Sequence, residues 1–143
     1  MDDDTDRTSR IIRLARHLEL ARRDVLGTRD LDTWEYDVLA ALRAAASPHE
    51  LAPGDLVNET QVASGTMTNR IDRLSRRGYV TREPDPDDRR GVLVRLTVSG
   101  RKKIDSVAAD LATAEALTWQ QLSARKADQL DDLVTELITH LEG

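Results

Sequence analysis

The chain has 143 residues, contains no cysteine and carries a formal net charge of -5. The absence of cysteine excludes disulfides, thiol redox sensing and cysteine metal sites, and no run of about 18 apolar residues is present that could cross a membrane. Because this length suits one domain and the acidic start MDDDTDRTSR is unlike a secretory signal, we expect a single domain over residues 1–143 in a reducing cytoplasm.

The first part of the chain predicts two amphipathic helices. Helix one covers residues 8–26, where apolar side chains recur at spacings of three and four, and Gly27 is suited to end it. Helix two begins near Asp32, which forms a capping-box pattern with Glu35, and the Ser47-Pro48 pair ends it.

A helix-turn-helix is predicted next. A short helix opens at Pro53, a residue that suits the first helical position. A turn over residues 60–63 then leads to a fourth helix over residues 65–77. Ser64 is a suitable N-cap for this fourth helix, and Gly78 is a suitable end.

The remaining residues predict a β-hairpin followed by two helices. Strands are expected over residues 79–83 and 91–98, joined by the turn-rich residues 84–88. Helices follow over residues 101–121 and 124–141, and the second of them has a strongly amphipathic pattern. The expected fold class is therefore mainly α with a small β-hairpin wing (α+β), a winged helix-turn-helix lobe between N- and C-terminal helices.

Charge is distributed unevenly along the chain. Residues 64–103 contain eleven Lys or Arg against five Asp or Glu, so this segment carries about +6 and the remainder about -11. A local basic zone is the electrostatic footprint expected of a nucleic-acid surface. The alternative is that these charges only form a solvated face.

The fourth helix separates an apolar side from a polar one. At about 100° per residue, Met67, Ile71 and Leu74 share the core-facing side, and Asn69 and Arg73 lie opposite. On a recognition helix in the major groove, Asn69 can pair with adenine, and Arg73 can reach a guanine edge or a phosphate. The alternative is an ordinary exposed polar face. The candidate DNA-contacting residues are Ser64, Thr66, Thr68, Asn69, Arg70, Arg73, Arg76, Arg77, Arg89 and Arg90.

The tip of the predicted hairpin is rich in arginine. Arg89 and Arg90 suit a narrow minor groove or the phosphate backbone. Asp87 and Asp88 are expected to hold these arginines in place through local ion pairs. Because residues 85–90 carry a net charge of about -1, a surface loop with balanced charges is the alternative.

These features together resemble the MarR (multiple antibiotic resistance regulator) family. The specific matches are LDTWEYDVLAAL over residues 31–42, SGTMTNRIDRL over 64–74, Gly78-Tyr79-Val80, Arg82, DPDDRR over 85–90, and Leu96-Thr97 with Gly100. The resemblance implies a homodimeric transcription factor, usually a repressor, that binds a palindromic operator in double-stranded DNA. It also implies a DNA-binding lobe over residues 31–100 and dimerisation helices over residues 8–30 and 101–143, which agrees with the apolar stripes of the terminal helices.

The same family often senses small phenolic or aromatic acids between its dimerisation helices and its DNA-binding lobe. Asp37, Arg70 and Arg82 match by spacing an aspartate and two arginines of the urate-responsive branch, although no tryptophan precedes Trp34 here. The resemblance thus implies an anionic aromatic ligand near Trp34, Asp37, Arg70 and Arg82. Independently, Arg70 lies on the inward flank of helix four, where a charge is costly unless paired. The alternative is therefore a structural salt bridge between Asp37 and Arg70.

Two other functional classes are alternatives to DNA binding. The wing aspartates and the acidic remainder would suit a helical protein-interaction module that has lost DNA binding, whereas the outward residues of helix four argue for DNA. An enzyme is not expected, because His17, His49 and His140 lie far apart and form no recognisable motif. We therefore expect no catalytic residues, no metal site and no cofactor.

Overall fold

The computed structural model describes residues 2–143, which form six helices and one three-stranded antiparallel sheet. The helices are α1 (Asp3–Gly27), α2 (Thr33–Ala44), α3 (Pro53–Thr60), α4 (Ser64–Arg76), α5 (Val98–Trp119) and α6 (Ala124–Glu142). The strands are β1 (Glu50–Leu51), β2 (Val80–Pro84) and β3 (Val92–Leu96). The predicted fold class, mainly helical with a small β wing, is confirmed.

The first two helices have different ends from those predicted. α1 begins at Asp3, earlier than predicted, because the Asp2 carboxylate accepts a hydrogen bond from the Thr5 amide at 2.9 Å and caps additional turns. The negative charges of the acidic residues in this first turn also interact favourably with the positive end of the helix dipole. α2 ends at Ala44, before the Ser47-Pro48 pair that was expected to end it.

The sheet contains one strand that the sequence pattern did not reveal. β2 and β3 form the predicted hairpin, and β1 pairs with the other side of β3, giving the order β1-β3-β2. β1 has only two residues, which is too short for an alternating pattern. A salt bridge of 2.9 Å between Glu50 and Arg95 joins β1 to the hairpin.

α5 follows the hairpin without a connecting loop. It begins at Val98, earlier than predicted, because the Thr97 hydroxyl accepts a hydrogen bond from the Gly100 amide at 3.0 Å and acts as the N-cap. The same hydroxyl donates to the carbonyl of Gly78 at 2.7 Å. The end of the wing and the start of α5 are therefore fixed to Gly78, which lies just beyond the C-terminal end of α4.

The hydrophobic core lies within the winged lobe, the C-terminal end of α1 and the part of α5 up to Leu111. It is built almost entirely from aliphatic side chains, as expected for a chain without phenylalanine. Its fully buried members come from all these elements and include Leu26, Leu39, Leu42, Leu56, Ile71, Leu74, Val94, Ile104 and Val107. The core therefore joins α4, the wing and α5 in one hydrophobic cluster.

Large apolar side chains outside this core remain exposed. α6 has no buried residue, and only Leu26 is buried in α1. The exposed apolar residues of these two helices include Ile11, Ile12, Leu14, Leu133, Val134, Leu137, Ile138 and Leu141. None of the helices in residues 2–143 combines the length and hydropathy that a membrane crossing requires.

Candidate nucleic-acid interface

α4 presents a polar face outward, as its periodicity predicts. Met67, Ile71 and Leu74 are buried, whereas the opposite side is exposed. Ser64 was predicted to be the N-cap, but Ala63 occupies that position. Ser64 is the first helical residue, and its carbonyl accepts a hydrogen bond from the Thr68 hydroxyl at 3.1 Å. The exposed candidate residues on this helix are Ser64, Thr66, Thr68, Asn69, Arg73 and Arg76.

Two arginines of α4 lie against the indole ring of Trp34 on α2. The Cζ atoms of Arg70 and Arg73 lie 5.3 and 5.2 Å from the ring centre. The prediction that Arg70 pairs with a carboxylate is wrong. Among residues 2–143, Arg70 forms no salt bridge with Asp37 or with any other acidic residue. A cation–π contact with the flat ring accommodates a half-buried guanidinium without a paired carboxylate.

Asp37 nevertheless lies within the electrostatic reach of Arg70. Partial burial raises the pKa of the Asp37 carboxyl above its ordinary value, and the charges of Arg22 and Arg70 oppose that rise. Arg82, the second arginine of the predicted ligand site, forms a hydrogen-bonded salt bridge with Asp72 of α4 instead. The structure thus places Trp34 and Asp37 near Arg70 and joins Arg82 to α4.

Arg77 directs its donors into the protein. It is the C-cap of α4 and donates hydrogen bonds to Glu35 Oε2 at 2.6 Å and to the Asp30 carbonyl at 2.8 Å. Its guanidinium also lies 5.0 Å from the ring centre of Tyr79. Burial alone would lower the pKa of Arg77, but the hydrogen bond and charge of Glu35, together with Tyr79 and Asp30, raise it overall. The side chain therefore stays charged.

The wing loop between β2 and β3 exposes Arg89 and Arg90. The predicted ion pairs with the wing aspartates are absent among the described residues. Instead, the Asp88 carboxylate accepts a hydrogen bond from the Arg90 amide at 3.0 Å, and that of Asp85 accepts one from the Asp87 amide at 2.9 Å. Short aspartate side chains reach neighbouring backbone amides more readily than the distant ends of arginines. These aspartates therefore shape the backbone of the loop, and both guanidinium groups remain exposed.

Comparison with known proteins identifies the family. Residues 29–91 match the family model described as MarR family. The chain is 32% identical to the HTH-type transcriptional regulator PecS of Dickeya dadantii over 78% of this chain and 67% of that protein. It is 38% identical to the multiple antibiotic resistance protein MarR of Escherichia coli, but over only 54% of this chain and 51% of that protein.

Solved structures agree with this assignment. A crystal structure of a mutant E. coli MarR complexed with operator DNA superposes with a TM-score of 0.82 at 26% identity, covering 94% of this chain and 96% of that one. AbsC of Streptomyces coelicolor has the same fold, with a TM-score of 0.89 at 22% identity over 100% and 97% of the two chains. Sequence and fold together therefore establish that the chain belongs to the MarR family.

Proposed function

We propose that the protein is a homodimeric, sequence-specific regulator of transcription that inserts α4 into the major groove of DNA and places its wing on the backbone or in the minor groove. One observation carries this proposal: the core fixes the inner face of α4, while its polar face and the two wing arginines remain exposed. A recognition helix requires this arrangement. The related MarR of E. coli, which was solved with operator DNA, supports it.

The exposed apolar faces of α1, α5 and α6 support a dimer. Two clefts of about 450 and 610 Å³ lie along these helices, and Ala15, Leu18 and Trp119 line both. Monomeric proteins rarely expose continuous apolar surface of this kind, and a second copy would cover it. Two-fold symmetry in the protein then requires a palindromic operator with half-sites about one helical turn apart.

The aspartates of the wing are compatible with DNA binding. Together with the acidic remainder of the chain, they favour the alternative of a winged helix that has lost DNA binding. Since Asp85 and Asp88 accept hydrogen bonds from loop amides, they serve to shape the loop. We propose that the protein represses transcription by occupying its operator. We do not propose an enzymatic role.

The DNA-binding proposal is tested with operator sequences selected from random or genomic DNA. Arg90→Ala should weaken binding to all sequences alike and lower the slope of affinity against salt concentration by about one counterion. Asn69→Ala is the matched control on α4: it should change base preference at one position, costing about 1–3 kcal/mol there. Band shifts at several salt concentrations measure both effects. Unchanged affinity of Arg90→Ala would show that the wing does not contact DNA.

We further propose that a small anionic aromatic ligand binds near Trp34, Asp37, Arg70 and Arg82. An anion that attracts Arg70 would compete with the electrostatic influence of Asp37 and with the Trp34 contact. The ligand can release DNA only if it binds the DNA-incompetent arrangement more tightly, and such coupling is commonly about 1–3 kcal/mol. Because Arg70 joins α4 to Trp34 of α2 and Arg82 joins β2 to Asp72 of α4, their rearrangement would alter the DNA-binding surface.

The ligand proposal makes a separate prediction. Salicylate-like acids or urate should lower operator affinity of the unmodified protein, and Asp37→Asn should abolish this response while leaving a folded dimer that still binds DNA. Titrations of operator binding with each acid, checked by circular dichroism, measure the response. If none of these acids changes the operator affinity of the unmodified protein, the ligand proposal fails and the DNA-binding proposal is unaffected.

A further inference from the structure

A polar junction joins the C-terminal end of α4 to the connector between α1 and α2. We define the junction as Asp30, Glu35 and Arg77 with the ring of Tyr79. Glu35 is the one charged residue among residues 2–143 that is buried, with 4% of its surface exposed. Its Oε2 accepts from Arg77 at 2.6 Å, and its Oε1 accepts from the Asp32 amide at 3.0 Å. Both oxygens of this buried carboxylate are therefore satisfied only while Arg77 is in place.

Arg77 uses the fixed geometry of its guanidinium to join separate segments. Nη1 donates to Glu35 at the start of α2, while Nη2 donates to the Asp30 carbonyl at 2.8 Å and approaches the Asp30 carboxylate at 3.3 Å. Asp30 has a positive φ of 53°, a backbone conformation that is uncommon for residues other than glycine. A lysine could not reproduce this geometry, because it carries a single donor atom.

The same connector is attached to α5. Arg29, next to Asp30, forms a salt bridge of 2.6 Å with Asp110, and its carbonyl accepts a hydrogen bond from Lys103. The Lys103 ammonium also lies 6.0 Å from the ring centre of Tyr79. Arg77 contacts the same ring. A continuous series of polar contacts therefore runs from the end of the recognition helix through the connector to α5.

We infer that Arg77 is a positioning residue, which sets the orientation of α4 relative to α5 and thereby the separation at which the two recognition helices of a dimer meet DNA. This inference rests on the proposed function, since α5 lies among the helices assigned to the dimer. It differs from the expectation that Arg77 contacts DNA. An arginine that contacts phosphate contributes charge to DNA binding, whereas Arg77 would contribute selectivity for the spacing between half-sites.

Operator spacing provides the first test. Arg77→Lys preserves the positive charge, and Glu35→Gln preserves a side-chain acceptor for the Asp32 amide. Both variants should therefore remain folded, which circular dichroism would confirm. Each variant should bind the preferred operator about tenfold more weakly, and its discrimination against operators with one base pair inserted between half-sites should fall by a similar factor. The slope of affinity against salt concentration should not change, because no phosphate contact is lost.

Arg76→Ala is the matched control on the same turn of α4. Arg76 is exposed and belongs to none of the salt bridges described for residues 2–143. Its loss should weaken all spacings equally and lower the salt slope by about one. If Arg77→Lys preserves spacing discrimination as fully as this control does, the inference is wrong.

A second measurement requires neither DNA nor a dimer. Because the chain has no cysteine, spin labels can be placed through Thr66→Cys on α4 and Ala109→Cys on α5, both at exposed positions. Dilution with unlabelled protein restricts the signal to distances within one subunit. Arg77→Lys and Glu35→Gln should broaden or shift this distance distribution, whereas Arg76→Ala should not. An unchanged distribution in both junction variants would overturn the inference, and failure of the unmodified protein to bind any DNA would count against the proposed function alone.

Discussion

Replacing Leu137 by aspartate should convert the dimer into a folded monomer that no longer binds the operator measurably. Leu137 lies in the exposed apolar stripe of α6, with 56% of its surface exposed in the single chain. A carboxylate there would be buried without a partner in the dimer, and two-fold symmetry would double that cost. Each released subunit would then hold only one half-site. The loss of bivalent binding commonly reduces affinity by about 10²–10⁴-fold.

Analytical ultracentrifugation at micromolar concentration and band shifts on the selected operator would measure these two effects. Val98→Asp is the control, because Val98 is also exposed, at 73%, but is the first residue of α5 and directly follows the wing. This control should sediment like the unmodified protein. A Leu137→Asp protein that remains dimeric would show that α6 is not part of the interface.

The sequence predicts which side of α4 faces the core, because that property depends on local periodicity. The apolar residues of α4 recur with the helical period, and the structure buries Met67, Ile71 and Leu74 as expected. The wing is equally local, since its turn residues separate two short alternating segments. The helix ends are less predictable, because a single capping side chain such as Asp2 or Thr97 decides them.

The partners of the arginines could not be predicted from such patterns. Arg77 pairs with a residue 42 positions earlier in the chain, and Arg70 lies against Trp34 on another helix. Periodicity assigns each arginine to one side of α4, but several partners are then chemically acceptable, including a carboxylate, an aromatic ring and DNA. The selection among them depends on how α2 and the connector pack around α4. One available signal was Glu35: a capping glutamate among buried residues requires a cation, and Arg77 supplies it.

The largest expected effect on stability comes from Gly100, at the point where the wing meets α5. Gly100 is buried, and a Cβ atom at this position would lie 2.1 Å from the carbonyl oxygen of Tyr79 and 2.9 Å from Leu96 Cδ1. Because the nearest atom belongs to the backbone, Gly100→Ala would force the start of α5 away from Tyr79, the residue before β2. We expect the free energy of unfolding to fall by about 3 kcal/mol, the upper end of the effect of overpacking a core.

Thermal unfolding at a fixed protein concentration should then show a Tm lower by about 10 °C. Gly54→Ala is the matched control, because a Cβ atom at Gly54 meets nothing within 4 Å and the substitution favours helix formation in α3. Its Tm should stay the same or rise slightly. Equal Tm values for the two variants would show that α5 can move away from Tyr79 at little cost. In that case the contact between the wing and α5 could not be a rigid part of the framework that orients α4.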